Sequence, residues 1–277
     1  MTQVQVADGK QAHVDTTMVS ACDKCKISGM IPEPLNPDTV RVRWLSIAES
    51  GVNDLARWRG MLDSEEREQA DRYVFASDRN TYIGAHALLR TMLSGATGLP
   101  TATWRYTRRP FGKPELDRSC AGNGLRFNLS HTRGFVACAI AHDEIGVDVE
   151  ASDREVDFAI ADRYFAPEEA CVIAAAPPER KTLLFFRFWT LKEAFIKATG
   201  EGLRRPLDAF SFSVDSLRIA FHPEREDTPR DDDPDTWQFF AGDAAAYRPL
   251  ALAIQRPPQA AARLDMRAAR AADVSPA

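Results

Sequence analysis

The hydrophobic and polar positions of this 277-residue chain change period several times, and each change predicts an element. From Val40 to Ile47, Val40, Val42 and Trp44 alternate with Arg41, Arg43 and Leu45, the period of a strand. Asp63-Ser64-Glu65-Glu66 then offers an N-cap residue ahead of acidic first-turn residues, a helix start. Between Ser77 and Leu93, Tyr82, Ile83, Ala87, Leu88, Leu89 and Met92 return at helical spacing, with Arg79, His86 and Arg90 as polar interruptions. Gly98-Leu99-Pro100 closes that helix. Strand-like runs follow at Thr103–Thr107, Leu125–Leu129, Phe135–Ala141 and Ile145–Glu150.

The same order then restarts. Pro167-Glu168-Glu169 opens a helix, and a long one runs from Glu179 to Thr199 and stops at Gly200. Strand-like runs come next at Phe210–Val214, Trp237–Ala241 and Leu250–Gln255, and Leu250–Ile254 looks like a counterpart of Phe135–Ile140. Helix-then-strands repeated in this way predicts an α+β fold of two similar halves, 39–143 and 144–256, related by pseudo-two-fold symmetry. An active site between them would be sheltered. Residues 1–38 end in Pro32-Glu33-Pro34-Leu35-Asn36-Pro37 and read as a flexible leader, while the Ala/Arg-rich tail at 257–277 is expected to fray.

Composition narrows the class without choosing a function. With 44% hydrophobic and 27% charged residues the balance is that of an ordinary globular chain, and a net charge of −5 provides no positive field for nucleic acid or an anionic membrane. The opening residues lack the pattern of a signal peptide, and no apolar run is long enough to span a bilayer. Five irregularly spaced cysteines argue against a disulfide framework, so a cytoplasmic location is expected. Cys22-Asp23-Lys24-Cys25, with only His13 upstream, lacks further ligands for zinc and reads as free thiols. Asp231-Asp232-Asp233-Pro234-Asp235 lacks the glycine and terminal glutamate of a calcium loop and reads as a solvated turn.

Two short segments carry the candidate chemistry. In Ile145-Gly146-Val147-Asp148-Val149-Glu150, Asp148 and Glu150 leave the same face of a strand while Val147 and Val149 face a core. In Trp189-Thr190-Leu191-Lys192-Glu193-Ala194-Phe195-Ile196-Lys197, residues Trp189, Glu193 and Lys197 stack along one helix face. Lys192 points about 100° away, toward a second phosphate or the surface. Three carboxylates suit Mg²⁺ and the lysines suit the phosphates it accompanies. Taken singly, each segment is equally well a polar strand face or a Glu–Lys surface pair. Ser130-His131 has no GxSxG elbow around it and suits hydrogen bonding to an anion better than triad chemistry. Lys113, in the turn Phe111-Gly112-Lys113-Pro114, is a further phosphate contact or a plain turn residue.

In this order the motifs resemble the 4′-phosphopantetheinyl transferase superfamily, in its longer monomeric type that activates peptide and polyketide synthases of secondary metabolite biosynthesis. The resemblance covers about 40–256 and rests on Gly112-Lys113-Pro114, Phe127-Asn128-Leu129-Ser130-His131, Gly146–Glu150, Trp189–Lys197, Gly200-Glu201-Gly202-Leu203 and Pro206–Phe210. It implies transfer of the phosphopantetheine arm of coenzyme A to a serine of an apo carrier protein, with release of adenosine 3′,5′-bisphosphate. Asp148, Glu150 and Glu193 are implied as Mg²⁺ ligands, and either Glu150 or Glu193 as the group that helps take the serine proton. Lys197 is implied on the diphosphate, and Arg72, Arg79, Arg90, Lys113, Ser130, His131 and Lys192 on coenzyme A. The sequence departs from some relatives where Glu65-Glu66-Arg67-Glu68-Gln69 stands in place of lysines. Arg105, Arg108, Arg109, Arg204 and Arg205 are expected as docking charges for an acidic carrier. The competing expectations are a coenzyme A or carrier-binding module without transfer, and a nucleotide phosphotransferase, for which no GxxxxGK[ST] loop is present.

Overall fold

The computed structural model describes residues 33–120, 124–225 and 232–276. Along the chain these form β1 (Thr39–Ser46), α1 (Val52–Met61), α2 (Ser64–Asp71), α3 (Ala76–Thr97), β2 (Tyr106–Arg108), β3 (Pro114–Leu116), β4 (Arg126–Thr132), β5 (Phe135–Ala141) and β6 (Ile145–Val149). There follow α4 (Ala159–Tyr164), α5 (Pro167–Ala175), α6 (Pro178–Thr199), β7 (Phe210–Ser213), β8 (Arg218–Phe221), β9 (Trp237–Ala245), β10 (Arg248–Gln255) and β11 (Arg263–Ala268). The strands make a four-stranded sheet ordered β11-β1-β5-β4, a three-stranded sheet ordered β6-β10-β9, and two small hairpins. The α+β class expected from the patterning is what the chain adopts.

Three apolar clusters explain the layering. On β5, Val136, Cys138 and Ile140 join Trp58, Leu88, Leu89 and Leu93 of α1 and α3, while Ala137 and Ala139 on the other face join Val147, Val149, Leu250 and Leu252. On β10, Ala251 and Ala253 turn away from that shared cluster toward Phe186, Leu191, Ala194 and Ala198 of α6. The two sheets therefore share a middle core, and each carries helices on its outer side. Both central strands are buried on both faces, which is why β5 and β10 read as unbroken apolar runs.

Helix starts behave as their sequences suggest. The Asp63 side chain caps α2 by accepting from the Glu66 N–H at 3.0 Å, and Glu66 accepts from the Asp63 N–H at 3.0 Å. α6 ends at Gly200, whose φ of +75° is the left-handed conformation that glycine takes without steric cost.

Residues 33–38 and the tail from 257 pack more closely than their composition suggests. Residues 1–32, with His13 and the Cys22–Cys25 motif, lie outside the described residues. The end of the expected leader is packed: the Glu33 N–H donates to the Gly95 carbonyl at 2.8 Å and Leu35 is buried. Part of the tail is built into the first sheet. β11 pairs in parallel with β1, from Thr39↔Arg263 to Trp44↔Ala268. Its Asp265 accepts from the buried guanidinium groups of both Arg41 and Arg43 at 2.8 Å. Val274 is fully buried, and the Trp58 indole donates to its carbonyl at 3.1 Å. Among the described residues no helix is long and apolar enough to cross a membrane.

One contact sets the distance between the second sheet and its long helix. A Cβ at Gly146 would lie 1.9 Å from the Ala194 carbonyl oxygen and 2.6 Å from the Ala198 nitrogen, both backbone atoms of α6. Gly146→Ala is expected to cost about 3 kcal/mol or more, because helix and strand must separate along their length. Urea unfolding of the variant against the parent checks this.

Candidate active site

The close approach at Gly146 brings the two candidate segments together. Gly146 and Asp148 project from β6 toward α6, on the face where β10 presents Ala253 and Ala251 opposite them. Lys197, one residue before Ala198, reaches across: its Nζ donates to Asp148 Oδ1 at 2.6 Å and to Ser130 Oγ at 2.9 Å. The Ser130 hydroxyl itself donates to Asp148 Oδ1 at 2.9 Å. Ser130 lies on β4, so strands of both sheets and helix α6 contribute to one cluster.

The ammonium pairs with Asp148, and its charge also reaches Glu150 and Glu193. Burial raises the pKa of Glu150, and the negative charge of Asp148 raises it further. Burial does the same to Glu193, with Asp148 and Glu150 both adding to it. Glu150 has only long contacts, from Thr132 Oγ1 and Arg154 at 3.4 Å, and Glu193 makes no side-chain hydrogen bond or ion pair among the described residues. Asp148 Oδ2 is buried with no hydrogen-bond partner. A buried, unpartnered carboxylate oxygen beside two further carboxylates with raised pKa values is an acceptor set short of positive charge.

That donor chemistry fits a hard divalent cation, which takes oxygen ligands and relieves mutual repulsion. Among the described residues, no three acidic, histidine or cysteine side chains stand close enough to form a finished metal cage. Mg²⁺ keeps several waters and commonly uses only one or two carboxylates, so the oxygen set still suits it.

The basic residues divide into two groups. His131 sits at the exposed end of β4, where surrounding atoms and then the Lys197 ammonium hold its pKa below the ordinary 6.5. The ring is therefore neutral near neutral pH. Arg79 is half-exposed near the start of α3 and makes no side-chain hydrogen bond or ion pair among the described residues. Arg72 is exposed at the end of α2, with only a 3.5 Å contact to Gln69.

Other expected phosphate contacts are committed elsewhere. Arg90 is buried and donates to Glu66 at 2.9 Å, Asp63 at 2.9 Å and the Thr101 carbonyl at 2.7 Å, tying α3 to the start of α2. Lys192 is also buried: Nζ meets Glu169 at 2.7 Å and the Leu207 and Phe210 carbonyls at 2.6 Å. Burial raises the Glu169 pKa and lowers that of Lys192, a desolvation cost that their pairing offsets. Lys113 Nζ donates to the Ala198 carbonyl at 2.6 Å and to Glu144 at 2.8 Å, capping the end of α6 rather than facing the carboxylates.

Of the expected docking arginines, Arg109 is held by Glu115 and Glu144, and Arg205 is buried against Asp232 at 2.5 Å. Arg105 and Arg108 are exposed, and Arg204 lies over the exposed Phe111 ring at 4.7 Å. A cavity of about 760 Å³ lies away from the cluster, lined in part by Arg41, Arg43, Met92 and Val274, and none of the three carboxylates borders it.

Comparison with known proteins bears on what this cluster serves. A family model described as 4′-phosphopantetheinyl transferase superfamily matches residues 144–254, and one described as 4′-phosphopantetheinyl transferase, N-terminal, matches residues 51–143. The 4′-phosphopantetheinyl transferase HetI of Nostoc sp. (strain PCC 7120) is 36% identical over 180 residues, 63% of this chain and 70% of that protein. The chain belongs to the 4′-phosphopantetheinyl transferase superfamily. A second relative, a 4′-phosphopantetheinyl transferase of Bacillus subtilis, is 33% identical over 155 residues, 56% of this chain and 67% of that protein. The Thermotoga maritima holo-[acyl-carrier-protein] synthase structure is 20% identical over 41% of this chain and 63% of that one, with a TM-score of 0.32, too weak a likeness to inform the site. The boundary between the two family models, at 143/144, falls just before β6, which carries Asp148.

The structural reading of Lys192 separates from the phosphate reading in one variant. Lys192→Met leaves Glu169 buried without its cation, so a loss of about 3–5 kcal/mol is expected. Coenzyme A affinity at a temperature where the variant is folded should stay within about twofold of the parent, since the ammonium is enclosed by the core. Urea unfolding and isothermal titration check the two halves of this prediction.

Proposed function

We propose that this transferase moves the 4′-phosphopantetheine group of coenzyme A onto a serine hydroxyl of an apo carrier protein and releases adenosine 3′,5′-bisphosphate. Family membership supports the reaction, and the observation that carries the assignment of the site is the Asp148–Ser130–Lys197 cluster flanked by Glu150 and Glu193. No activated nucleophile is needed on this chain, because the attacking hydroxyl belongs to the partner. Ser130 is hydrogen-bonded to Asp148 and Lys197, which suits a fixed structural hydroxyl.

Asp148, Glu150 and Glu193 would hold Mg²⁺ against the pyrophosphate of coenzyme A. Bound there, it would neutralise charge on the leaving bisphosphate. Lys197, poised on Asp148, is within a side-chain rotation of any phosphate docked beside that carboxylate and stabilises the departing negative charge. His131 and Arg79 supply further donors for coenzyme A phosphates, His131 as a neutral imidazole that gains a proton when an anion docks. We assign the serine proton to Glu193, which has a raised pKa and no side-chain partner among the described residues. Glu150 shares its contacts with Thr132 and Arg154. No observation favours the reading as a binding module without transfer, since that would leave a costly carboxylate cluster without a task.

The deciding measurement is intact mass spectrometry of an apo carrier protein incubated with the enzyme, coenzyme A and Mg²⁺, with an EDTA control. A phosphopantetheine-sized gain that EDTA removes is expected. Coenzyme A binding without any gain across peptidyl and acyl carriers would sink the proposal.

Glu193→Gln gives a second test with opposite signs for activity and stability. Transfer should fall at least about 100-fold. Because Glu193 binds its proton more tightly in the folded chain, it costs stability as pH rises above its ordinary value of 4.5. The variant should melt higher than the metal-free parent at neutral pH, with the gap closing as pH falls toward the unfolded value. Melting curves across that range check the sign.

A further inference from the structure

β4 and β6 are edge strands of different sheets, and no backbone ladder joins them. β6 pairs on one side with β10, in the register Val147↔Leu252, Asp148↔Ala251 and Val149↔Leu250. In an antiparallel ladder alternate residues turn their N–H groups outward, so a strand edge leaves every second donor unpaired. Two of those outward donors on β6 belong to Val147 and Val149, the neighbours of Asp148. Both are met by side chains of β4: the Val147 N–H donates to Asn128 Oδ1 at 3.0 Å and the Val149 N–H to Ser130 Oγ at 3.3 Å. Asn128 and Ser130 are both buried, and they leave the face of β4 opposite Phe127 and Leu129, which pack into the first-half core.

The two anchors differ in what else they hold. The Ser130 hydroxyl is shared among Val149, Asp148 and Lys197, so its position follows the charges of the cluster. The shorter bond belongs to Asn128, which touches none of the carboxylates. We propose that Asn128 is a positioning residue for Asp148: its side-chain carbonyl replaces the missing ladder bond at Val147 and fixes β6 against β4, so that Asp148 is suspended between two anchored amides. Without it the edge of β6 that faces β4 keeps only the Ser130 bond beside Asp148, and a shift of that edge passes to the carboxylate.

This rests on Asp148 serving as a metal-side ligand, and the test separates the two claims. Asn128→Leu keeps approximate size and removes the acceptor, while Asn128→Asp keeps an oxygen acceptor at the same place. Mn²⁺ affinity is read by electron paramagnetic resonance without coenzyme A or carrier, alongside kcat and the KM for coenzyme A. Asn128→Leu should weaken Mn²⁺ binding and lower kcat by about tenfold each, with the KM for coenzyme A nearly unchanged, and Asn128→Asp should recover most of the Mn²⁺ affinity. A role in stability alone would lower the melting temperature and leave Mn²⁺ affinity and kcat at the parent values, which overturns the proposal. Equal losses in both variants overturn it too.

Hydrogen exchange of the Val147 amide in the unaltered protein guards against a variant that fails to fold. Protection comparable to the β6–β10 ladder is expected, and exchange at the rate of an exposed strand edge overturns the anchoring. Absence of both Mn²⁺ binding and transfer in the parent would instead refute the functional reading, leaving the Val147 amide to decide the role of Asn128.

Discussion

The structure depends on how closely α6 lies against β6. Gly146 has no side chain to hold the helix off, and the residues around it, Ala194, Ala198, Ala251 and Ala253, are the smallest that still bury apolar surface. At that separation Lys197 and Asp148 meet at 2.6 Å. A Cβ at Gly146 would meet the backbone of α6 at 1.9 Å and force the two elements apart. The apolar clusters on both outer sides supply the free energy that presses the layers together, and Gly146 determines where they stop.

The cluster that results is deliberately short of positive charge. Lys197 pairs with Asp148 and Arg154 stands 3.4 Å from Glu150, while burial first and the neighbouring carboxylates second raise the pKa values of both glutamates. An arrangement meant only for stability would pair each carboxylate, as happens at Asp265 with Arg41 and Arg43 or at Glu66 with His86 and Arg90. Those paired carboxylates have their pKa values lowered. Glu169, raised by burial, still has Lys192 at 2.7 Å, whereas Glu193 has burial and two neighbouring carboxylates with no ion-pair partner among the described residues.

Periodicity made half of this legible. A strand repeat places Asp148 and Glu150 on one face, and a helix repeat places Glu193 below Lys197, whatever surrounds them. What spacing does not reveal is which neighbour waits at the end of a side chain. Lys192 was separated correctly from Glu193 around the helix, yet its direction leads to Glu169 and two carbonyls in the core. Arg90 and Lys113 likewise turn to carboxylates 24 and 31 positions distant in sequence, Glu66 and Glu144. The strand β11 carried a readable alternation, Leu264, Met266 and Ala268, hidden by the Ala/Arg bias of the tail. Asn128 lies within Phe127–His131, but what it meets is an outward amide on another sheet, which no sequence pattern announces.

Sorting the cations by burial also constrains how an anionic substrate is held. Arg41, Arg43, Arg90, Lys113, Lys192 and Arg205 are all buried and matched to carboxylates, so they define the scaffold's shape. A buried cation cannot leave its partner for a phosphate without stranding a carboxylate in the core, at a cost of several kcal/mol. Among the described residues, the donors in or against the cluster are Lys197, His131 and Arg154, and each is at least partly exposed. Recognition of a polyanionic co-substrate by so few side chains leaves much of its charge to be met otherwise, which is the same deficit the three carboxylates display from the protein side. On the proposed reading a divalent cation would answer both at once, since the carboxylates lack a positive charge and the pyrophosphate would lack donors.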